Sequence, residues 1–157
     1  MSGFVFKQFT VTQTRTAMKV STDGILLGAW ADVSGAKGIL DIGTGTGLLA
    51  LMAKQRAPEA KVSAIEIDAG ACNDARENFA ASPWPDINLF EGAVQSFSAV
   101  EPFDAIITNP PYFNASLKGE NDARNTARHT DGLSFSELIE ACTRISHGKT
   151  LLNVILP

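Results

Sequence analysis

Gly38-Ile39-Leu40-Asp41-Ile42-Gly43-Thr44-Gly45-Thr46-Gly47 is an apolar strand that runs into a glycine-rich turn. The stretch after it, Leu48-Leu49-Ala50-Leu51-Met52-Ala53-Lys54-Gln55, predicts a helix ended by Pro58. Glycines at alternate positions allow a tight turn and let a ligand approach the backbone closely. Next, Lys61-Val62-Ser63-Ala64-Ile65-Glu66 predicts a strand whose closing carboxylate lies 25 positions after Asp41 (66 − 41). In nucleotide-binding α/β folds an acid at that place binds ribose hydroxyls. A glycine-rich turn alone also reads as a mere loop. The succession of strand, turn, helix, strand and acid is the context that turns it into a nucleotide cradle.

The same alternation continues along the chain. A helix is expected over Thr22–Ala31, with Thr22 or Asp23 near its cap, ahead of the first strand at Gly38–Ile42. The second strand covers Lys61–Ile67, and a helix follows over Ala69–Ala80, broken by Ser82-Pro83-Trp84-Pro85. A short third strand is expected at Ile87–Phe90 and a fourth at Asp104–Thr108. Phe113–Gly132 reads as a long loop of the kind that is commonly functional. Ser134 opens a helix to Ile145 with a Ser-x-x-Glu capping box to Glu137, and Thr150–Leu156 gives strand five. This order predicts a Rossmann-like, doubly wound parallel α/β sheet. The strand order 3-2-1-4-5 places the ligand crevice at the carboxyl ends of strands one and four.

Asn109-Pro110-Pro111-Tyr112 stands at the end of that fourth strand. Two prolines cannot continue a sheet ladder, and the residue before a proline is held extended. The turn offers an amide, carbonyls and one aromatic face, a set that can hold a planar amino group and stack the ring behind it. Taken alone, the residues fit a plain strand-ending turn equally well.

The Asp-x-Gly-x-Gly-x-Gly pattern differs from the Gly-x-Gly-x-x-Gly of dinucleotide enzymes. It resembles the class I S-adenosylmethionine-dependent methyltransferases. Asn-Pro-Pro-Tyr resembles the members of that class that methylate exocyclic or amide nitrogens. Ala17-Met18-Lys19-Val20-Ser21-Thr22-Asp23-Gly24-Ile25-Leu26-Leu27-Gly28-Ala29-Trp30 resembles the N-terminal signature of the bacterial tRNA(Val) adenine-N6 methyltransferases, which act just 3′ of the anticodon. Arg128-His129-Thr130 and Leu133-Ser134-Phe135 are similar to the same family. The similarity runs from about Phe6 to Pro157.

The resemblance implies S-adenosyl-L-methionine as cofactor, held by Lys19, Thr22, Asp41, Gly43, Gly45, Gly47, Glu66, Ala93 and Asn109. It implies a catalytic clamp of Asn109, Pro110 and Tyr112, and RNA contacts from Tyr112, Arg124, Arg128 and His129. The acceptor nitrogen of adenine is a poor nucleophile because its lone pair is delocalised into the ring. Accepting both of its hydrogens localises that lone pair. Tyr112 can then stack on a base turned out of its neighbours. One position departs from the pattern. Where the family usually has an acid for the cofactor's adenine amino group, Phe90-Glu91-Gly92-Ala93-Val94 puts Ala93. The missing carboxylate costs about 1–3 kcal/mol if the amino group stays unpaired. Backbone N–H groups of Ala93 or Val94 remain to address the ring. The resemblance also implies two further strands and a helix after strand five. Their lack suggests a methyltransferase domain over 1–157 cut short at its C-terminal end, or a short member whose exposed fifth-strand edge meets an oligomeric partner.

Composition bounds the rest. A chain of 157 residues with 45% hydrophobic and 19% charged content suits one domain that buries a core. No apolar run approaches the roughly 20 residues of a bilayer span, so no membrane partner is expected. No leader pattern opens the chain, and a cytoplasmic location is the default. Cys72 and Cys142 read as reduced packing residues, and with two histidines there is no metal constellation. A net charge of −4 does not announce a nucleic-acid binder, but local patches decide that affinity. Arg124, Arg128 and His129 form one basic group, and Lys7, Arg15 and Lys19 another. A solvated surface and an RNA contact account for them equally. Two alternatives remain open. Glutamine N5-methylation of a protein uses the same clamp, although those enzymes carry a helical domain before the turn. A non-catalytic cofactor-binding module has no need for Asn109 and Tyr112.

Overall fold

A computed structural model describes residues 3–111 and 133–156. Among the described residues twelve elements follow in chain order: β1 (Gly3–Val5), β2 (Thr10–Thr12), α1 (Thr22–Trp30), β3 (Gly38–Ile42), α2 (Leu48–Arg56), β4 (Lys61–Glu66), α3 (Ala69–Ala80), β5 (Asn88–Glu91), a 3₁₀ turn (Val94–Ser96), β6 (Phe103–Thr108), α4 (Phe135–Arg144) and β7 (Ser146–Val154); the loop expected over Phe113–Gly132 lies outside the described residues. The central sheet is fully parallel in the order β5-β4-β3-β6-β7, the expected 3-2-1-4-5 winding. Parallel strands need both faces covered, and the side chains divide accordingly. Ile39, Val62, Ala64, Ala105 and Ile107 pack with α1, α2 and α3 on one face. Leu40, Ile42, Ile65 and Ile106 pack with Leu138, Ala141 and Cys142 of α4 on the other. The period-2 alternation of strand side chains makes this partition.

Local chemistry fixes the ends of the helices. Ser21 caps α1, one residue ahead of the expected Thr22 or Asp23, by accepting from the Gly24 N–H. Arg56 of α2 donates to the Gly28 and Ala31 carbonyls, acceptors that the last turn of α1 leaves over. The capping box of α4 is present in both halves: Ser134 Oγ accepts from the Glu137 N–H and Glu137 accepts from the Ser134 N–H. Such caps stabilise a helix by about 1 kcal/mol each. Cys72 and Cys142 are free and buried, and burial pushes both thiols up to about 11.

Two features were not expected from the sequence. The N-terminal residues form an antiparallel hairpin, with Val5 opposite Thr10 and Gly3 opposite Thr12. Phe6 stacks on Phe9 at 4.7 Å, and Phe9 meets Trp84 edge-on. Three-residue strands carry too little periodicity to be read in advance. Strand five starts earlier than expected, at Ser146, because α4 ends at Arg144 and turns directly into the sheet. Leu151 and Leu152 of this β7 strand are exposed.

Candidate functional site

The sheet reverses its winding between β3 and β6, and the carboxyl ends of these strands splay around a crevice. Thr108 Oγ1 donates to the Ile42 carbonyl and ties the two strand ends together just below it. Two cavities of about 190 and 220 Å³ open there, sharing Met18, Gly43, Glu66 and Asn109 in their walls.

The glycine-rich turn forms the shared floor. Gly43 and Thr44 N–H groups both donate to the Ile65 carbonyl, which bends the chain from β3 over the end of β4. Gly43 has φ +71°, no atom of the described residues lies within 4 Å of where a Cβ would sit, and the glycine lines both cavities. Gly45 also lines the first cavity, and its N–H donates to Glu66 Oε2. Gly47 is a different case. It is absent from both cavity walls, and a Cβ there would meet Phe79 Cε1 at 2.4 Å. That glycine is required by helix packing, not by the crevice.

Asp41 lies beneath the turn and lines neither cavity. Its Oδ2 accepts from Thr44 Oγ1 and from the Ala50 N–H, which joins the turn to the first turn of α2. Its Oδ1 is buried with no hydrogen-bond partner among the described residues. Burial, moderated by those two hydrogen bonds, pushes the carboxyl up to about 7.

Glu66 is at the tip of β4, as expected, but it is already occupied. Oε2 accepts from Gly45, and Oε1 accepts from the Ile67 and Asp68 N–H groups. An ionised carboxylate has about four lone-pair sites. The geometry therefore leaves an acceptor position on Oε2 for a ligand hydroxyl while Glu66 shapes the turn. Glu91, at the end of β5, pairs with Arg76 and points away from the crevice.

The remaining expected residues fall out in different ways. Asn109 is half-buried and lines both cavities, and its amide has no hydrogen-bond partner among the described residues. Pro110 lines the second cavity beside it. Ala93 lines the same cavity with Val94, Ile65 and Ile67. Lys19 lines the first cavity, with Nζ donating to the Gln13 carbonyl at 3.0 Å. Thr22 is the exposed first residue of α1 and lines neither cavity; Ser21 does. Tyr112, Arg124, Arg128 and His129 lie outside the described residues. Arg15 is paired with Asp74 and Glu77, so it is less available to an anionic partner than its sequence position suggested. Thr16, Met18, Thr44 and Asp68 line the crevice without having been expected. Only Asp68 carried a readable signal, as the N-cap of α3 two residues after Glu66. Among the described residues no cluster of His, Cys, Asp and Glu is placed to hold a metal ion, and no helix is long and apolar enough to cross a membrane.

Comparison with known proteins gives this crevice its context. Residues 23–128 match the family model of the methyltransferase small domain. The chain is 60% identical over its full 157 residues to the tRNA1(Val) (adenine(37)-N6)-methyltransferase of Pseudoalteromonas translucida (strain TAC 125), covering 68% of that protein. It is 52% identical over 146 residues to the protein of the same name from Aeromonas hydrophila, covering 92% of this chain and 61% of the relative. The chain thus spans about two thirds of the length of these relatives. Among solved structures, coclaurine N-methyltransferase bound to N-methylheliamine and SAH superimposes with a TM-score of 0.60 at 14% identity, over 88% of this chain and 39% of that one, a likeness of fold alone.

S-adenosylmethionine is the methyl donor of such domains, and the residues present fit it. The open face of Gly43 leaves room for a ligand against the backbone, and the lone-pair position on Glu66 Oε2 suits a ribose hydroxyl. Ile42, Ile65, Ile67 and Val94 offer apolar walls to a purine in the second cavity. Lys19, Ser21 and Thr44 give the first cavity the polar character that an amino-acid moiety needs. On sequence, fold and crevice together, the chain belongs to the methyltransferase small-domain family and, within it, to the tRNA1(Val) (adenine(37)-N6)-methyltransferases.

Proposed function

We propose that this chain methylates the exocyclic N6 of an adenine in tRNA, the adenine at position 37 beside the anticodon of tRNA(Val), in the cytoplasm. The observation that carries the reading is Asn109. Its amide, without a hydrogen-bond partner among the described residues, stands just past the carboxyl end of β6 in the wall shared by both cavities. The relatives that match along 92–100% of the chain bear the name of this activity.

S-adenosylmethionine supplies, when bound, a methyl group activated by its sulfonium. The protein's part is to position and polarise the acceptor. Asn109 Oδ1 and the Pro110 carbonyl accept the two N6 hydrogens, which draws the lone pair out of the ring and fixes its direction of attack. Tyr112 stacks on the base. The apolar wall around Pro110, Pro111 and Leu133 keeps water from competing for the amino group. No strong general base is required, because the methylated ammonium product loses its proton readily to solvent.

RNA affinity rests on Arg124, Arg128 and His129, supported by the exposed Lys7. Arg15 contributes less, since two carboxylates already hold it. Phosphate contacts of this kind make binding fall steeply with salt. The deciding experiment offers labelled cofactor with total tRNA or with total protein, followed by nucleoside and amino-acid analysis. The expected product is N6-methyladenosine in tRNA(Val). Label in protein glutamine, or no transfer to either, would refute the proposal.

A further inference from the structure

Residues Thr12–Ser21 run from the end of β2 to the cap of α1 as a strap across the rim of the crevice. Thr16 to Ser21 form one wall of the first cavity, and the glycine-rich turn forms the facing wall. Two buried polar side chains on one face of α3, a single turn apart, hold the strap. Asp74 is fully buried and accepts from the N–H groups of Thr14 (3.0 Å), Arg15 (2.8 Å) and Thr16 (2.9 Å), and from Thr14 Oγ1 (2.9 Å). The Arg15 guanidinium adds an ion pair at 3.2 Å. Asn78, 2% exposed, accepts from the Thr12 N–H and Oγ1 and donates to the Thr12 carbonyl. Its amide also donates to the Thr46 carbonyl at 2.8 Å, inside the glycine-rich turn. One helix face thus grips both walls of the cavity. At the far end Gln13, 6% exposed, accepts from the Val20 N–H at 2.8 Å and closes the strap on itself.

We infer that Asp74 is a positioning residue for the cofactor: with Asn78 and Gln13 it sets the distance between strap and turn, and so the fit of the amino-acid end of S-adenosylmethionine. Several consecutive backbone N–H groups converge on one buried carboxylate, which is far more than the packing of a surface strap requires. Burial pushes the carboxyl up, but the N–H groups of Arg15, Thr16 and Thr14 outweigh it and hold the group below its ordinary range, so it stays charged as their acceptor. Asp74 touches neither cavity, and its effect reaches the ligand only through the strap. The inference rests on the reading that the polar first cavity takes the amino-acid end and the apolar second cavity the purine.

The test compares two probes in titration calorimetry: S-adenosylhomocysteine, which carries the amino-acid end, and 5′-methylthioadenosine, which lacks it. Asp74→Asn keeps the shape but loses the charge and an acceptor. Gln13→Ala releases only the Val20 end and leaves α3 intact, so it stands in where Asp74→Asn fails to fold. Each variant is expected to weaken S-adenosylhomocysteine about tenfold or more, the scale of losing charge-assisted hydrogen bonds. Affinity for 5′-methylthioadenosine is expected to stay within about twofold. Amide exchange at Thr14–Val20 should accelerate in the unliganded variants while β3 and β4 amides keep their protection. Parallel loss for both probes, or unchanged S-adenosylhomocysteine affinity despite faster strap exchange, would overturn the positioning role. A wild-type chain that binds neither probe would overturn the cofactor reading itself, and the inference with it.

Discussion

Gly43 and Gly47 are four residues apart in one turn, and alanine at each separates the ligand cradle from the scaffold that holds it. Both have positive φ, +71° and +86°. An alanine there costs about 1–2 kcal/mol from the clash of Cβ with the backbone. At Gly43 this is the whole folding cost, because no atom of the described residues lies within 4 Å of the new methyl. At Gly47 the methyl would lie 2.4 Å from Cε1 and 2.8 Å from Cζ of Phe79, a ring only 3% exposed and with little room to move. Overpacking of that kind adds about 1–3 kcal/mol, so Gly47→Ala should destabilise by roughly 2–5 kcal/mol in all. Ligand binding should reverse the ranking. The Gly43 methyl projects into the crevice, and S-adenosylhomocysteine affinity should fall at least tenfold, about 1.4 kcal/mol or more. Gly47→Ala should bind almost normally once folded. Urea unfolding with and without ligand reads both effects: ligand at 100 times Kd stabilises by about 2.7 kcal/mol, and that increment should survive in Gly47→Ala and shrink in Gly43→Ala. Adding Phe79→Leu to Gly47→Ala should recover the packing part, as a favourable coupling in a double-mutant cycle. Equal stability losses at the two glycines, or normal ligand affinity in Gly43→Ala, would refute this division of roles.

Glu66→Ala should lower cofactor affinity by about 1–3 kcal/mol, since it strips the ribose acceptor and frees the Gly45, Ile67 and Asp68 N–H groups; unchanged affinity by calorimetry would sink the assignment. Asn109→Ala should abolish most turnover while cofactor affinity holds, because its hydrogen bonds matter chiefly as the nitrogen attacks; single-turnover methylation with a parallel binding titration checks this. Asp41 has a folded pKa raised to about 7, so the folded state holds its proton more tightly than the unfolded state. The wild type should therefore lose on the order of 3–4 kcal/mol between pH 4 and 7 from this group, and Asp41→Asn should lack that slope. Parallel stability profiles for the two proteins would contradict it. Asp104 acts in the opposite sense: the Gly38 N–H, His147 and the Lys37 N–H hold its carboxyl down at about 2. Its contribution should be complete above about pH 4 and disappear as the pH falls toward 2, a loss that Asp104→Asn should not show in acid unfolding.

Sequence alone determined the sheet and its crevice. Gly38–Ile42 and Lys61–Glu66 are bounded by glycine, proline and charge, and their short, nearly continuous buried runs are those of strands covered on both faces. The parallel winding then fixes which strand ends meet, so Glu66, Asn109 and Gly43 could be placed at one crevice from their positions in the chain, while Ala93 was placed there by the family resemblance. Tertiary structure decided what each of these residues does there. Asp41 and Gly47 look like ligand contacts in the motif, yet one is a buried brace beneath the turn and the other a gap for Phe79, a residue 32 positions away (79 − 47). Arg15 looks like a cation for RNA until Asp74 and Glu77 are found beside it. The strap over the first cavity has no periodicity of its own, because it is held by side-chain acceptors on α3 and not by a ladder. Motif spacing records which backbone positions converge, since the chain's local geometry enforces that. Which side chains then fill, brace or face the space depends on neighbours from distant segments, and only the packed fold brings those together.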